Sequence, residues 1–247
     1  MKTYIPSKLL SLVAGALALT CTSFSGSAQT LFNVDAGTGS SPTYTGAAVL
    51  GSSGDLWNAY GGQAWGPHNV VTIFDSTGSS AAGVTLDVWN YYGSWGSTGG
   101  TTPNPSDLMQ DYINAFGSGD GFPIRVELAN LPASAAFNLV VYSAGDAAGQ
   151  SGTISLATDN TFTTILQTAA TTAASRDISA GAGVAYQVFS GTTSASGTID
   201  FQIANTSDWH SFNGLQLELT AVPEPSTAAL GMVGTLLLGW YRRSRAC

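Results

Sequence analysis

Residues 123–143 read PIRVELANLPASAAFNLVVYS, and the two halves of this stretch obey different rules. In the first half Ile124, Val126 and Leu128 fall on one side of an extended chain while Arg125 and Glu127 fall on the other, the period of two that marks a half-buried strand. In the second half, residues 136–143 (AFNLVVYS), apolar side chains fall on both sides, which predicts a central strand.

The same logic extends along the chain. GVTLDVW (83–89) alternates Val84, Leu86 and Val88 against Thr85 and Asp87. Further strands are predicted at LFNVD (31–35), VVTIF (70–74), TISLA (153–157), TFTTILQ (161–167), VAYQVFS (184–190), TIDFQI (198–203) and FNGLQLELT (212–220), about ten in all. Turn-rich segments punctuate them at GSSGD, DSTGSS, GSGDG, AGDAAGQSG, SAGAG and GTTSASG. One segment breaks the pattern. PSDLMQDYINAF (105–116) offers Ser106 as an N-cap, Asp107 in the first turn, Leu108, Tyr112 and Phe116 at helical spacing and Gly117 as a stop, and so predicts a single short helix. The expected fold is all-β: a two-sheet antiparallel β-sandwich of jelly-roll type with that one helix.

The run 125–143, followed by YQVFSG (186–191) and a final FNGLQLEL (212–219), resembles the galactose-binding-like jelly rolls of secreted bacterial proteins. In that family a strand, a Leu-Pro corner and a Val-Tyr-Ser strand precede a last strand opening with Asn-Gly. The resemblance covers about residues 120–220. It implies a domain of a kind that often binds carbohydrate on loops at one end, in some members with calcium.

The two ends follow other physics. Lys2 and Lys8, the apolar run Leu9–Leu19 and the small residues Gly26-Ser27-Ala28 form a secretory signal peptide, residues 1–28, so the mature chain is expected to start at Gln29. Acylation at Cys21 is the weaker reading, because Thr20 is large for such a site. At the other end Thr227–Tyr241 carries no charge and at ~1.5 Å per helical residue spans roughly 22 Å, short of a ~30 Å hydrocarbon core. Trp240 and Tyr241 suit the interface, and Arg242, Arg243 and Arg245 suit the cytoplasmic side of a C-terminal transmembrane helix. Val222-Pro223-Glu224-Pro225 before it cannot be helix interior. Pro-Glu-Pro, apolar span and arginine cluster, in that order, resemble the PEP-CTERM sorting signal of Gram-negative bacteria. The resemblance covers residues 222–247 and implies an exosortase, a membrane-embedded cysteine transpeptidase, that recognises the Pro-Glu-Pro stretch, removes the tail and passes the protein outward from the inner membrane. Cys247, after the arginines, departs from that pattern.

Residues 29–221 remain as one sandwich domain. They hold fourteen of the fifteen acidic residues, all except Glu224, against Arg125 and Arg176, about −12 in all. Such a field repels phosphate backbones, so nucleic acid is excluded as a partner. No cysteine lies between Cys21 and Cys247, which excludes disulfides, thiolate zinc sites and iron–sulfur clusters from the body.

Aromatic residues gather in two Gly-rich stretches: Trp57, Tyr60 and Trp65 in one, Trp89, Tyr91, Tyr92 and Trp95 in the other. Exposed, these rings could stack on sugars beside Asn and Asp groups that fix hydroxyls; the favoured reading is that they plug the ends of the sandwich. His210, between Trp209 and Ser211 and near Asp208, reads as structural, since His68 is remote and no third ligand is marked. Asp120, Asp146, Asp159 and Asn160 carry oxygens that suit calcium, but their spacing is not an EF-hand loop and such residues ordinarily cap their own turns. No carboxylate pair is singled out for glycoside hydrolysis. Gly149–Gly152 lacks a serine-nucleophile pattern. No cofactor is required. The reading is an exported, non-enzymatic surface or extracellular-matrix protein, with a carbohydrate-binding module as the alternative, an extracellular polysaccharide as its partner, and a polysaccharide-active enzyme third.

Overall fold

The computed structural model describes residues 29–37, 44, 46–61, 68–80, 83–96, 107–116, 123–146, 150–205 and 209–220. Gln29–Ala221 forms one compact unit. Its described strands are β1 (Gln29–Gly37), β2 (Asn58–Gly61), β3 (Val71–Thr72), β4 (Thr85–Trp89), β5 (Gly93–Gly96), β6 (Asp111–Phe116), β7 (Ile124–Ala129), β8 (Ala136–Tyr142), β9 (Thr153–Ala157), β10 (Ile165–Ala170), β11 (Tyr186–Thr192), β12 (Ile199–Ala204), β13 (Trp209–Phe212) and β14 (Gly214–Thr220). They form a five-stranded sheet in the order β11-β8-β14-β1-β2, a six-stranded sheet β10-β9-β12-β7-β4-β3 and a three-stranded sheet β13-β6-β5. The pairs are antiparallel except β1 with β2.

The opening stretch explains this arrangement. Ile124, Val126 and Leu128 of β7, in the six-stranded sheet, and Phe137, Leu139 and Val141 of β8, in the five-stranded sheet, meet in one core with Leu86, Val88, Phe201 and Leu217. Each such side chain, fully buried, stabilises the fold by about 1.5–3 kcal/mol before entropy is counted. The alternate residues of β8, Val140 and Tyr142, enter a second cluster with Tyr44, Trp57, Leu108 and Met109, so both faces of β8 are covered. Polar side chains secure that cover. Gln216 of β14 is fully buried; its Oε1 accepts from the amides of Val49 (3.0 Å) and Leu50 (2.9 Å) and from the Tyr142 hydroxyl (2.7 Å), and its Nε2 donates to Asn33 Oδ1 (2.8 Å) and the Leu50 carbonyl (3.0 Å). A segment that would otherwise be a surface loop is thereby fixed over the sheet.

The Leu131–Pro132 corner carries the chain from one sheet to the other and is clamped to the turn between β11 and β12. Leu131 N donates to the Gly197 carbonyl at 3.0 Å, and Thr193 Oγ1 donates to the Pro132 carbonyl at 2.5 Å while accepting from Ala135 N at 2.9 Å. Gly197 has φ +74°, and a Cβ there would lie 2.1 Å from the Leu131 carbonyl oxygen, so only glycine fits this clamp.

Two expectations are corrected. The segment 105–116 is not a helix among its described residues: Asp107–Met109 makes one 3-10 turn, and Asp111–Phe116 is strand β6. A helix of a dozen residues is marginal in water. As a strand the segment pairs on both sides and buries Tyr112, Ile113 and Ala115, whereas a helix would bury the Leu108, Tyr112, Phe116 stripe; Phe116 is in fact exposed. The second correction follows, because β6 is the middle of a third sheet that a two-sheet sandwich lacks. Among the described residues no helix is long and apolar enough to cross a membrane. The leader, the tail with Val222, Pro223, Glu224, Pro225, Arg242, Arg243 and Arg245, and Trp65, Asp120 and Asp208 lie outside the described residues.

On the outer face of the six-stranded sheet, Asp87, Glu127 and Asp200 stand abreast on β4, β7 and β12. His68 Nδ1 pairs with Asp87 Oδ2 at 2.5 Å, and Asn160 Nδ2 donates to Glu127 Oε2 at 3.0 Å. Like charges directly opposite on neighbouring strands are unfavourable. Burial, then the charge of Glu127, pushes the Asp200 carboxyl up to about 7 against the hydroxyl of Thr198, which favours the ionised form. The unfolded chain ionises this group near its ordinary value, so the folded state binds the extra proton between pH ~4 and ~7 and loses stability as pH rises through that window. Asp200→Asn should remove the slope: its urea midpoint should exceed that of the parent above pH 7, by on the order of 1–3 kcal/mol in unfolding free energy, with the advantage shrinking below pH 5.

Candidate functional site

The small sheet presents one face to the core and the other to a cleft. Along β6 the two-residue period sends Ile113 and Ala115 inward, while Tyr112, Asn114 and Phe116 face out. Register then decides what stands beside them. Trp95 on β5 is opposite Tyr112, Gly93 and Ser211 are opposite Asn114 from either side, and Trp209 on β13 is opposite Phe116. The result is three cross-strand rows: an aromatic row, a middle row of small and polar residues, and a second aromatic row, the outer two about 13 Å apart at ~3.3 Å per residue. Glycine at 93 keeps the middle open.

The cleft has a volume of about 520 Å³, with Asp146 and Gln150 from the β8–β9 connection beside the sheet. Trp95 is 58% exposed and Tyr92 47% exposed. The Trp209 ring packs edge-on against Tyr92 at 5.4 Å and tilted against Phe116 at 4.8 Å, which holds it in place. Among the polar groups, the Tyr112 hydroxyl donates to Asp146 Oδ1 at 3.0 Å, and Gln150 Oε1 accepts from Asp146 N at 3.1 Å. Burial, reinforced by the Asp146 carboxylate, pushes the Tyr112 hydroxyl well above the usual phenol value, so it stays a donor. His210 faces inward opposite Ala115 and is 1% exposed.

The cleft is held by Asn213, between β13 and β14. Its Oδ1 accepts from Ala144 N (2.8 Å), its Nδ2 donates to the Asp111 carbonyl (3.1 Å), its amide donates to the Tyr142 carbonyl (3.0 Å) and its carbonyl accepts from Ala36 N (2.8 Å). Thus one buried side chain ties the Asp146 loop to the start of β6.

The aromatic candidates separate cleanly. Trp57, Tyr60, Trp89 and Tyr91 are buried. Trp57 Nε1 donates to the Gly46 carbonyl at 2.8 Å, the Tyr60 hydroxyl donates to the Asn69 carbonyl at 3.0 Å, and Trp89 stacks under His68 at 4.7 Å. These four pack. Tyr92 and Trp95 line the cleft, joined by Trp209 and Tyr112, which were not singled out for sugar contact. The calcium candidates are dispersed: Asp146 lies at the cleft, Asp159 caps its own turn through Thr161 N (2.9 Å), and Asn160 bonds Glu127. Among the described residues no group of three or more His, Cys, Asp or Glu side chains is arranged to hold a metal. The signal that would have revealed the site was the β-branched and aromatic content of DYINAF, which the helical spacing of Leu108, Tyr112 and Phe116 masked.

Comparison with known proteins bears on the tail and the body separately. Residues 221–246 match the PEP-CTERM protein-sorting motif. The motif implies processing by an exosortase, and proteins that carry it are exported and sorted to the cell surface. No curated protein sequence matches the chain. The body is similar to β-sandwiches that include carbohydrate-binding modules. A family 35 carbohydrate binding module from Clostridium thermocellum shares 12% identity over 53% of this chain and 90% of its own, at a TM-score of 0.33. The C-terminal CBM6 of LamC from Zobellia galactanivorans shares 14% over 54% and 90%, at 0.30. The plant receptor-like kinase ANX2 shares 10% over 63% and 54%, at 0.35. At these scores the likenesses assign no ligand.

Asn213→Ala should leave the Ala144 amide and the Asp111 carbonyl buried without their partner and cost about 2–3 kcal/mol of stability in urea unfolding. Hydrogen exchange should rise first in β6 and in the loop carrying Asp146.

Proposed function

We propose that this is an exported, non-enzymatic protein, delivered to the cell surface or an extracellular matrix through its PEP-CTERM tail, whose sandwich binds carbohydrate in the cleft on the small sheet. One observation carries the binding role: two aromatic rows, in which Trp95 and Phe116 are exposed, flank a row of small and polar residues, with Asp146 and Gln150 alongside. Flat rings cover the apolar faces of pyranoses, and carboxylate and amide groups take the hydroxyls, the division of labour of a sugar site. Among the described lining residues Asp146 is the single carboxylate, whereas glycoside hydrolysis uses two on opposite sides of the scissile bond. Pro223, Glu224 and Pro225 serve as the recognition stretch for the processing transpeptidase. Arg242, Arg243 and Arg245 hold the tail's orientation in the inner membrane until cleavage.

The binding role is tested by affinity electrophoresis against a polysaccharide panel. Trp95→Ala and Trp209→Ala should each weaken retardation by roughly 2–13-fold, the worth of about 0.5–1.5 kcal/mol for a stacked ring, with the fold intact by circular dichroism. An unchanged mobility for both variants would remove this reading. The sorting role is tested separately: Glu224→Ala should leave the tail uncleaved and the protein in the membrane fraction of the host.

A further inference from the structure

Resting on the carbohydrate reading above, we infer that the cleft is selective for uncharged glycans and that Asp146 is the residue that rejects acidic ones. The argument begins with what the chain lacks. Residues 29–221 contain no lysine and two arginines, Arg125 and Arg176, against fourteen carboxylates. Both arginines are engaged elsewhere. Arg125 sits over the Phe162 ring at 4.8 Å on the six-stranded sheet, and Arg176 Nε donates to the Met109 carbonyl at 2.7 Å, before β6. The field of Arg176 reaches the Tyr112 hydroxyl, but neither arginine lines the cleft. A uronate or sulfate ester bound there would find no lysine or arginine among the described residues that line the cleft, and with no lysine and two arginines in residues 29–221 the composition leaves no other source of fixed positive charge.

The cleft's own polar groups point the same way. Asp146 is exposed, and one of its oxygens takes the Tyr112 hydroxyl while Gln150 holds its backbone. An anchored carboxylate beside stacked rings accepts charge-assisted hydrogen bonds from sugar hydroxyls, which neutral and acidic sugars both possess. A carboxylate-bearing ring in the same place adds like-charge repulsion at short range, reinforced by a body of about −12, and carries the cost of desolvating two anions. Neutral chains gain the first effect without the second. The expected discrimination is about tenfold or more at physiological salt.

The test uses pairs that share their backbone linkage and differ in charge at C6: fully methyl-esterified polygalacturonate against polygalacturonate, and β-1,4-mannan against β-1,4-polymannuronate, with the intact chain and Asp146→Asn, in EDTA and in calcium. The parent should bind at least one neutral member and bind its acidic counterpart about tenfold more weakly, with the gap narrowing as salt is raised. Asp146→Asn keeps an oxygen for Tyr112 and removes the charge, so the neutral-to-acidic ratio should fall to within about threefold, whatever happens to neutral affinity itself. Equal or tighter binding of the acidic members by the parent overturns the inference while leaving the carbohydrate reading intact, as does a ratio unmoved by Asp146→Asn. Acidic binding that appears in calcium and vanishes in EDTA overturns it as well, since Asp146 would then bridge anions instead of excluding them. Binding to no member of either series overturns the carbohydrate reading itself and the selectivity with it.

Discussion

Asn213 is fully buried, and its side chain and backbone together bond to β1, β8, the β8–β9 connection and the start of β6. In a dry interior an amide left unbonded is expensive, so these four partners must arrive together or not at all. That requirement locks the small sheet to the sandwich at the point where the chain leaves β13 and enters β14. The next residue obeys the same constraint: a Cβ on Gly214 would lie 2.2 Å from the Val34 carbonyl oxygen. The cleft inherits its rigidity from this junction, because Tyr112 and Asp146 are positioned on either side of it.

Polar satisfaction also explains why the five-stranded sheet is not left with a wet outer face. Gln216 and Asn33 present amide groups where an antiparallel strand would ordinarily turn to solvent, and the segment carrying Tyr44 and Trp57 is captured over them. Aromatic mass that could have served a ligand is thereby committed to packing. On the small sheet, which has no covering segment among the described residues, Tyr92 and Phe116 both contact Trp209, and Trp95 lines the same cleft from the other aromatic row.

Much of the sandwich could be read from residues alone. β4, β7, β8, β9, β11, β12 and β14 follow runs whose two-residue period or double-sided apolarity is plain, and the prediction for β8 as a central, twice-covered strand matches its place between β11 and β14. The strands missed were β2, β5, β6 and β13, and three of these four are the small sheet. Of these, β2, β5 and β13 are four residues each, too few for a two-residue period to stand out. In β6 the spacing of Leu108, Tyr112 and Phe116 pointed to a helix, because local periodicity cannot register that two other strands wait to pair with it.

The covalent order of residues determines what depends on composition and on contiguous segments. It supplies an acidic, cysteine-free body with almost no cations, and a tail in which Pro-Glu-Pro, apolar run and arginines follow one another, since recognition of such a segment acts on chain that needs no tertiary partner. Which tryptophans are buried, and which carboxylate stands beside which ring, was decided only by folding. Trp95 and Trp209 are more than a hundred residues apart and acquire a shared face only through their separate pairings with β6. Long-range register of that kind is set by the collective burial of the core and the hydrogen bonds of Asn213, neither of which is written in any local stretch.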